Sequence, residues 1–186
     1  VLVTEAVDGY PWPRARIYQR VDASPRQVMA VFFDYDNAHT FVPNCTKSRI
    51  SREIDPRTFD VDYVVSVPVL PSECYTARNE LSSSEDGVLK VKWEVLHATS
   101  IKESRGNLVV EPLGAEESII CYTNLVKPGV CGASLIKGIA MGQMKDTVNA
   151  IVGRVVERKH DPKALAPEME RLASALGETA LAEARK

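Results

Sequence analysis

Apolar residues along Ser134–Lys159 recur three or four positions apart: Ile136, Ala140, Met144, Val148, Ile151 and Val155. That spacing puts them on one stripe of a helix. Lys137, Lys145, Asp146, Asn149, Glu157 and Arg158 lie mostly off the stripe. Pro128 and Gly129 end the segment before it, and Ser134 is placed to cap its first turn. Arg154, Arg158 and Lys159 suit the negative end of the helix dipole. A helix of this length needs a broad apolar surface to lie on, and the upstream chain reads as that surface.

Upstream, the pattern changes to alternation. Arg14–Val21 reads as a first strand, with Ala15, Ile17 and Gln19 on one side. Ser24-Pro25 opens a helix with a capping hydroxyl and a first-turn proline, and Gln27 can complete a capping box. Asp36-Asn37 can cap a second short helix ending near Phe41. Lys47–Ile54 and a turn at Asp55-Pro56-Arg57 follow. Phe59, Val61, Tyr63, Val65 and Val67 then alternate with Asp60, Asp62, Val64 and Ser66. Pro68 and Pro71 mark a loop, or an interruption at a sheet edge. Tyr75, Ala77, Asn79 and Leu81 share one face of the next strand. Leu89, Val91, Trp93 and Val95 alternate with Lys90, Lys92 and Glu94, the clearest half-buried strand in the chain. A longer loop is expected over His97–Gly106, then strands over Asn107–Leu113 and Ser118–Val126, the last with Ile120, Tyr122 and Asn124 inward.

This order is strand, two short helices, about six antiparallel strands and one long helix. It implies an α+β domain in which a curved antiparallel β-sheet wraps around a long C-terminal α-helix. Hairpin strands curling around one helix leave a space that can hold a ligand. The expected domain covers residues 14–160. Residues 1–13, stiffened by Gly9-Tyr10-Pro11-Trp12-Pro13, read as an extended strap, or as a pocket lid using Tyr10 and Trp12. After a break at Asp161-Pro162, residues 161–186 read as a helical extension, with Leu165, Met169, Leu172 and Leu176 at helical spacing mostly within Pro167–Gly177.

Charge and composition narrow the function without naming it. The formal net charge is −2 and no long basic run occurs, which weighs against nucleic acid as a partner. No apolar run approaches the ~20 residues of a membrane span. Cys45, Cys74, Cys121 and Cys131 are far apart and form no CxxC, so reduced thiols and a disulfide both stay open. The chain begins at Val1, leaving open a cytoplasmic location or a periplasmic one after signal-peptide removal. No metal-ligand spacing, phosphate loop or hydrolase motif occurs, so neither metal nor cofactor is expected. His39, His97 and His160 fall at helix edges or in loops, and Asp60 and Asp62 on the outward, solvated face of their strand. Tyr63, Tyr75, Tyr122 and Asn124 are the polar residues placed to orient a ligand or to act as weak acids, and an inward amide needs partners.

Several segments resemble the helix-grip superfamily of START-like and polyketide cyclase/dehydrase-like proteins. Val21-Asp22-Ala23-Ser24-Pro25-Arg26-Gln27-Val28 is similar to its strand-to-helix opening. Phe33-Asp34-Tyr35-Asp36-Asn37 with Phe41-Val42-Pro43-Asn44-Cys45 resembles the next helix and its exit, most of all in the subgroup of coenzyme-Q-binding proteins. Tyr122 through Val126-Lys127-Pro128-Gly129 resembles the closing strand and turn. The likeness covers about residues 14–160. It implies a cavity between sheet and long helix for a hydrophobic small molecule such as a lipid, quinone, sterol or polyketide. The fold hosts carriers, sensors and a few enzymes, so three readings stand: a carrier or sensor, a cyclase or dehydratase-like enzyme, and a protein-interaction module with a vestigial pocket. Transient membrane contact and a protein partner are left open.

Strand parity places Val65, Val67, Tyr75, Trp93, Tyr122 and Asn124 on one cavity wall. The N-terminal half of the helix stripe places Ile136, Ala140 and Met144 on the other, beside a flexible mouth at Pro128–Gly132. Gly138 and Gly142 lie nearby, where missing side chains permit close approach. Val148, Ile151 and Val155 should pack as core.

Overall fold

The computed structural model describes residues 1–67, 71–129 and 133–178, without the side chains of residues 133–135. The loop expected at Pro68, the cap at Ser134, Val130–Gly132 of the expected mouth and Cys131 lie outside what is described.

Eight antiparallel strands form one sheet in the order β1-β2-β8-β7-β6-β5-β4-β3. They are β1 (Leu2–Glu5), β2 (Arg14–Val21), β3 (Cys45–Asp55), β4 (Thr58–Val65), β5 (Glu73–Ser83), β6 (Leu89–Ala98), β7 (Ile101–Gly114) and β8 (Glu117–Pro128). Strands β3 to β8 form a meander, and β8 returns to pair with β2, Ile17 facing Tyr122. Between β2 and β3 the chain makes helix α1 (Pro25–Phe32) and a 3-10 turn over Tyr35–Thr40. Helix α2 spans Ala133–Lys159 and α3 spans Pro162–Leu176. This is the α+β helix-grip architecture expected from the pattern.

The local chemistry explains most boundaries. At α1, the Ser24 hydroxyl accepts from the Gln27 backbone N–H, while Gln27 Oε1 accepts from the Ser24 N–H at 2.9 Å, so the capping box forms. Asp36 does not cap the second short helix as expected. Its Oδ1 accepts from the Ile50 backbone N–H at 2.7 Å and ties the 3-10 turn to β3. Asn37 instead donates to Asp34. The long loop expected over His97–Gly106 is only Thr99 and Ser100, because β7 starts at Ile101. The inward residues there, Ser104 and Gly106, are small and carry no hydrophobic alternation. A Cβ on Gly106 would sit 2.5 Å from the Trp93 ring and 2.2 Å from the Thr123 carbonyl oxygen, so glycine leaves the space that the indole fills.

The strand parity holds along β6. Leu89 and Val91 are buried and Lys92 and Glu94 are exposed. On the outward face of β4, Asp60 is buried rather than solvated. Arg78 on β5 donates to both its carboxylate oxygens, at 2.8 and 3.0 Å. That arginine holds the Asp60 carboxyl below its usual value. Asp62 accepts from the Thr76 hydroxyl at 2.8 Å. The outer strand β3 exposes Lys47, Arg49 and Arg52 and carries irregular register, features that blunt a sheet edge.

One end of the space between sheet and helix is solid. Val148, Ile151 and Val155 of α2 are 0 to 1% exposed, and join Val28, Met29 and Val31 of α1 and Val91, Leu108, Val110 and Ile120 of the sheet in the core. Each such side chain contributes roughly 1.5–3 kcal/mol through burial.

The terminal segments are tied to this body. Leu2–Glu5 pair with β2 as an edge strand. The chain breaks at Asp161-Pro162, and α3 starts at once there, ahead of the expected Pro167: the Asp161 side chain accepts from the Ala164 N–H, and Pro162 takes the first turn. Gly177, with φ at 78°, closes α3 in the left-handed conformation that glycine favours. Leu165, Leu172 and Ala175 are buried, with α3 packed on α1. Arg171 pairs with the buried Asp34 at 2.8 Å, and Arg158 of α2 with the buried Glu168 at 2.8 Å. Arg57 donates to the carbonyls of Ala175 and Leu176 at the end of α3.

Candidate functional site

At the other end, sheet and helix separate around a cavity of about 310 Å³. The starts of β5 and β7 and the ends of β4, β6 and β8 form its sheet wall. The N-terminal half of α2 covers it, and Tyr35 and Ala38 of the 3-10 turn close one side with Phe41 just after it. Val65, Val67, Tyr75, Trp93, Tyr122 and Asn124 all lie on the sheet wall, and Ile136, Ala140 and Met144 on the helix wall. The nine residues assigned to the two walls by strand parity and helical stripe all border this space. Ile151 belongs to the core and also borders the inner end of the cavity.

The helix contributes more than the stripe suggested. Ile139, Met141, Gln143 and Thr147 also face the space. Gly138 and Gly142 do not line it; Gly138 is exposed, and a Cβ at either position would meet nothing within 4 Å. The lid residues of the strap divide. Trp12, 6% exposed, lines the cavity with Pro13. Tyr10 lies outside, donating to Glu103 at 2.6 Å, with Lys127 and Arg105 over its ring.

Aromatic surface dominates the wall. The Tyr63 and Tyr75 rings stack with centroids 5.1 Å apart, and Trp93 and Tyr122 lie 5.1 Å apart deeper in. Such pairs hold each other rigidly and present flat apolar faces. The tyrosine hydroxyls are the notable polar atoms. Tyr35 is 2% exposed and its hydroxyl has no hydrogen-bond partner among the described residues. Burial raises the Tyr122 hydroxyl to about 12 and pushes Tyr63 and Tyr75 up as well. All of them stay protonated donors near neutral pH.

The remaining polar groups are partly satisfied within the wall. Asn79 donates to the Ala77 carbonyl at 3.1 Å, and Gln143 to the Ser66 carbonyl at 3.1 Å. Asn124 Oδ1 accepts from the Ser104 hydroxyl at 3.4 Å. Cys45 donates its thiol to the Lys47 carbonyl, and burial raises that thiol. Sequence reasoning missed Glu73. It shares the inward parity of Tyr75, Ala77 and Asn79, which is the signal that could have found it. Glu73 is 5% exposed, lines the cavity and accepts from the Ser100 backbone N–H at 2.9 Å and from the Ser100 hydroxyl. No Lys, Arg or His is among the described lining residues. His39, His97 and His160 are exposed. Among the described residues no group of three His, Cys, Asp or Glu could hold a metal ion. Nor is any described helix long and apolar enough to cross a membrane. Cys45, Cys74 and Cys121 are free thiols.

No protein-family profile matches the chain, and no curated protein does. Solved structures do. A STAR-related lipid transfer protein from Xanthomonas axonopodis superposes with a TM-score of 0.73 at 18% identity, over 83% of this chain and 92% of that one. The Zhui aromatase/cyclase from Streptomyces sp. R1128 gives 0.68 at 18% identity, over 78% and 94%. The lipid transfer and protein localization domain of human StarD13 gives 0.67 at 15% identity, over 83% and 82%. What these proteins share with the chain is architecture: it has the START-like helix-grip fold that its sequence motifs resemble.

Proposed function

We propose that this protein binds a hydrophobic small molecule between the sheet and α2, as a carrier or sensor. The observation that carries the reading is the contrast along α2. The same helical stripe packs solidly at Val148 and Val155 and stands away from the sheet at Ile136 and Ala140. A space of about 310 Å³ with mostly apolar walls and a few polar groups is the usual form of a ligand pocket. The buried Tyr35 hydroxyl adds support, since leaving it unpaired costs roughly 1–3 kcal/mol that a ligand acceptor would offset. Lipid transfer in the names of two structural neighbours supports an apolar cargo. The carrier reading is favoured over a cyclase because Glu73 is the one charged group among the described lining residues, so no acid–base pair of charged side chains converges there.

The test is a titration with N-phenyl-1-naphthylamine, a neutral apolar dye that brightens when desolvated. The expected result is saturable binding of one dye per chain with quenching of tryptophan emission, since Trp12 and Trp93 both line the cavity. Absence of saturation up to the solubility of the dye would overturn the reading.

A further inference from the structure

We infer that the ligand is an apolar organic cation, an amphiphile or ring system bearing an ammonium group that sits against Glu73. The inference rests on the cavity reading above and specifies its ligand class. Glu73 is the only ionisable carboxyl on the described wall, and it is 5% exposed. Its partners are the backbone N–H and hydroxyl of Ser100. A carboxylate has room for about four hydrogen bonds and those neutral donors leave its charge uncompensated. No described Lys, Arg or His lines the cavity to pair with it. Burying a lone carboxylate is costly unless a cation joins it.

The rings beside it fit the same ligand. Glu73 and Tyr75 are two apart on one face of β5, and Tyr63 pairs with Tyr75 from β4. The stacked Tyr63 and Tyr75 rings offer faces that attract a cation, and ammonium recognition by aromatic rings combines well with a carboxylate. Further in, Trp93, Tyr122, Met144 and Ile151 offer an uncharged wall for the apolar part. An anionic amphiphile would face the Glu73 charge with no described cation to receive it.

The experiment compares three probes of equal chain length below their micelle concentrations: decyltrimethylammonium, decanol and decyl sulfate. Binding is read by displacement of N-phenyl-1-naphthylamine. Decyltrimethylammonium should bind at least tenfold more tightly than decanol, and decyl sulfate should bind most weakly. Glu73→Gln should remove most of the ammonium preference, bringing the affinities for decyltrimethylammonium and decanol to within about threefold of each other. The wild-type ranking decides even where the variant does not fold: equal affinities, or a preference for the sulfate, overturn the inference. A variant that is less stable but keeps the wild-type ranking also overturns it, because Glu73 is then only a clamp on Ser100. If decanol and the dye both fail to bind, the cavity reading fails instead; if they bind without an ammonium preference, only the present inference fails.

Discussion

Filling the cavity and hollowing the core should have opposite effects, although both changes fall on one helix. Ala140→Trp places an indole where the helix stands away from the sheet. The cavity of about 310 Å³ corresponds to roughly ten waters at ~30 Å³ each, more than an indole needs. The stability cost should therefore stay within the roughly 0.7 kcal/mol span of ordinary helix propensities. Overpacking a filled core would cost about 1–3 kcal/mol. Val148 is 0% exposed and lies away from the cavity. Val148→Ala removes two methyl groups, or about 1.6 kcal/mol at ~0.8 kcal/mol each, before any cost of the void left behind. At about 2–4 °C per kcal/mol for a chain of this size, the melting temperature should fall by roughly 3–6 °C. Dye titration and thermal melts on both variants give the comparison. Ala140→Trp should lower dye affinity at least tenfold with a near wild-type melt, and Val148→Ala should bind the dye normally and melt earlier. An unfolded Ala140→Trp beside a neutral Val148→Ala would place the open space at the other end of α2 and refute the reasoning.

Gly106→Ala should displace the Trp93 indole, because the new methyl would lie 2.5 Å from that ring and 2.2 Å from a backbone oxygen; a variant with unchanged melt and tryptophan spectrum would show that the contact is not there. Tyr35→Phe removes a buried hydroxyl that has no partner among the described residues, so the free protein should keep its stability or gain up to about 1–3 kcal/mol. A clear loss in chemical denaturation would mean that the hydroxyl is bonded. Glu168 gives a pH signature. Desolvation, outweighing its Arg158 ion pair, raises its carboxyl above the ordinary 4.5. The native state then holds this proton more tightly than the unfolded chain. The stabilisation is fully present below the unfolded value and is lost as pH rises through the raised native one. Wild type should therefore lose stability relative to Glu168→Gln across that rise, and a difference that is flat or of opposite sign contradicts the assignment.

What the sequence conveyed depended on whether a signal was local. Leu89, Val91, Trp93 and Val95 alternate with charged residues, so their face was readable without any partner, and the same parity led to Tyr75 and Tyr122. The stripe on α2 was readable as a stripe, but not its width, since Gln143 and Thr147 are polar and still face the cavity. Asp60 was misread because its burial depends on Arg78, a neighbour only through the register of β4 and β5. The first half of β7 was missed because Gly106 has no side chain, as the facing Trp93 requires, and Ser104 is small and polar, so the hydrophobic pattern is absent there. Asp161-Pro162 breaks one helix and caps the next, so α3 begins five residues before Pro167, where the apolar spacing alone placed most of it. Glu73 was passed over because a charged residue at an inward position breaks the alternation, and such breaks concentrate where a ligand is expected to contribute.

The central claim is that the space under the N-terminal half of α2 holds one hydrophobic small molecule. Native mass spectrometry of the full chain, purified gently and then exposed to excess N-phenyl-1-naphthylamine, tests it most directly. The account predicts a one-to-one adduct, either with a molecule carried through purification or with the added dye, that is lost in Ala140→Trp. Bare chain alone under both conditions, or an adduct that Ala140→Trp retains unchanged, would contradict it.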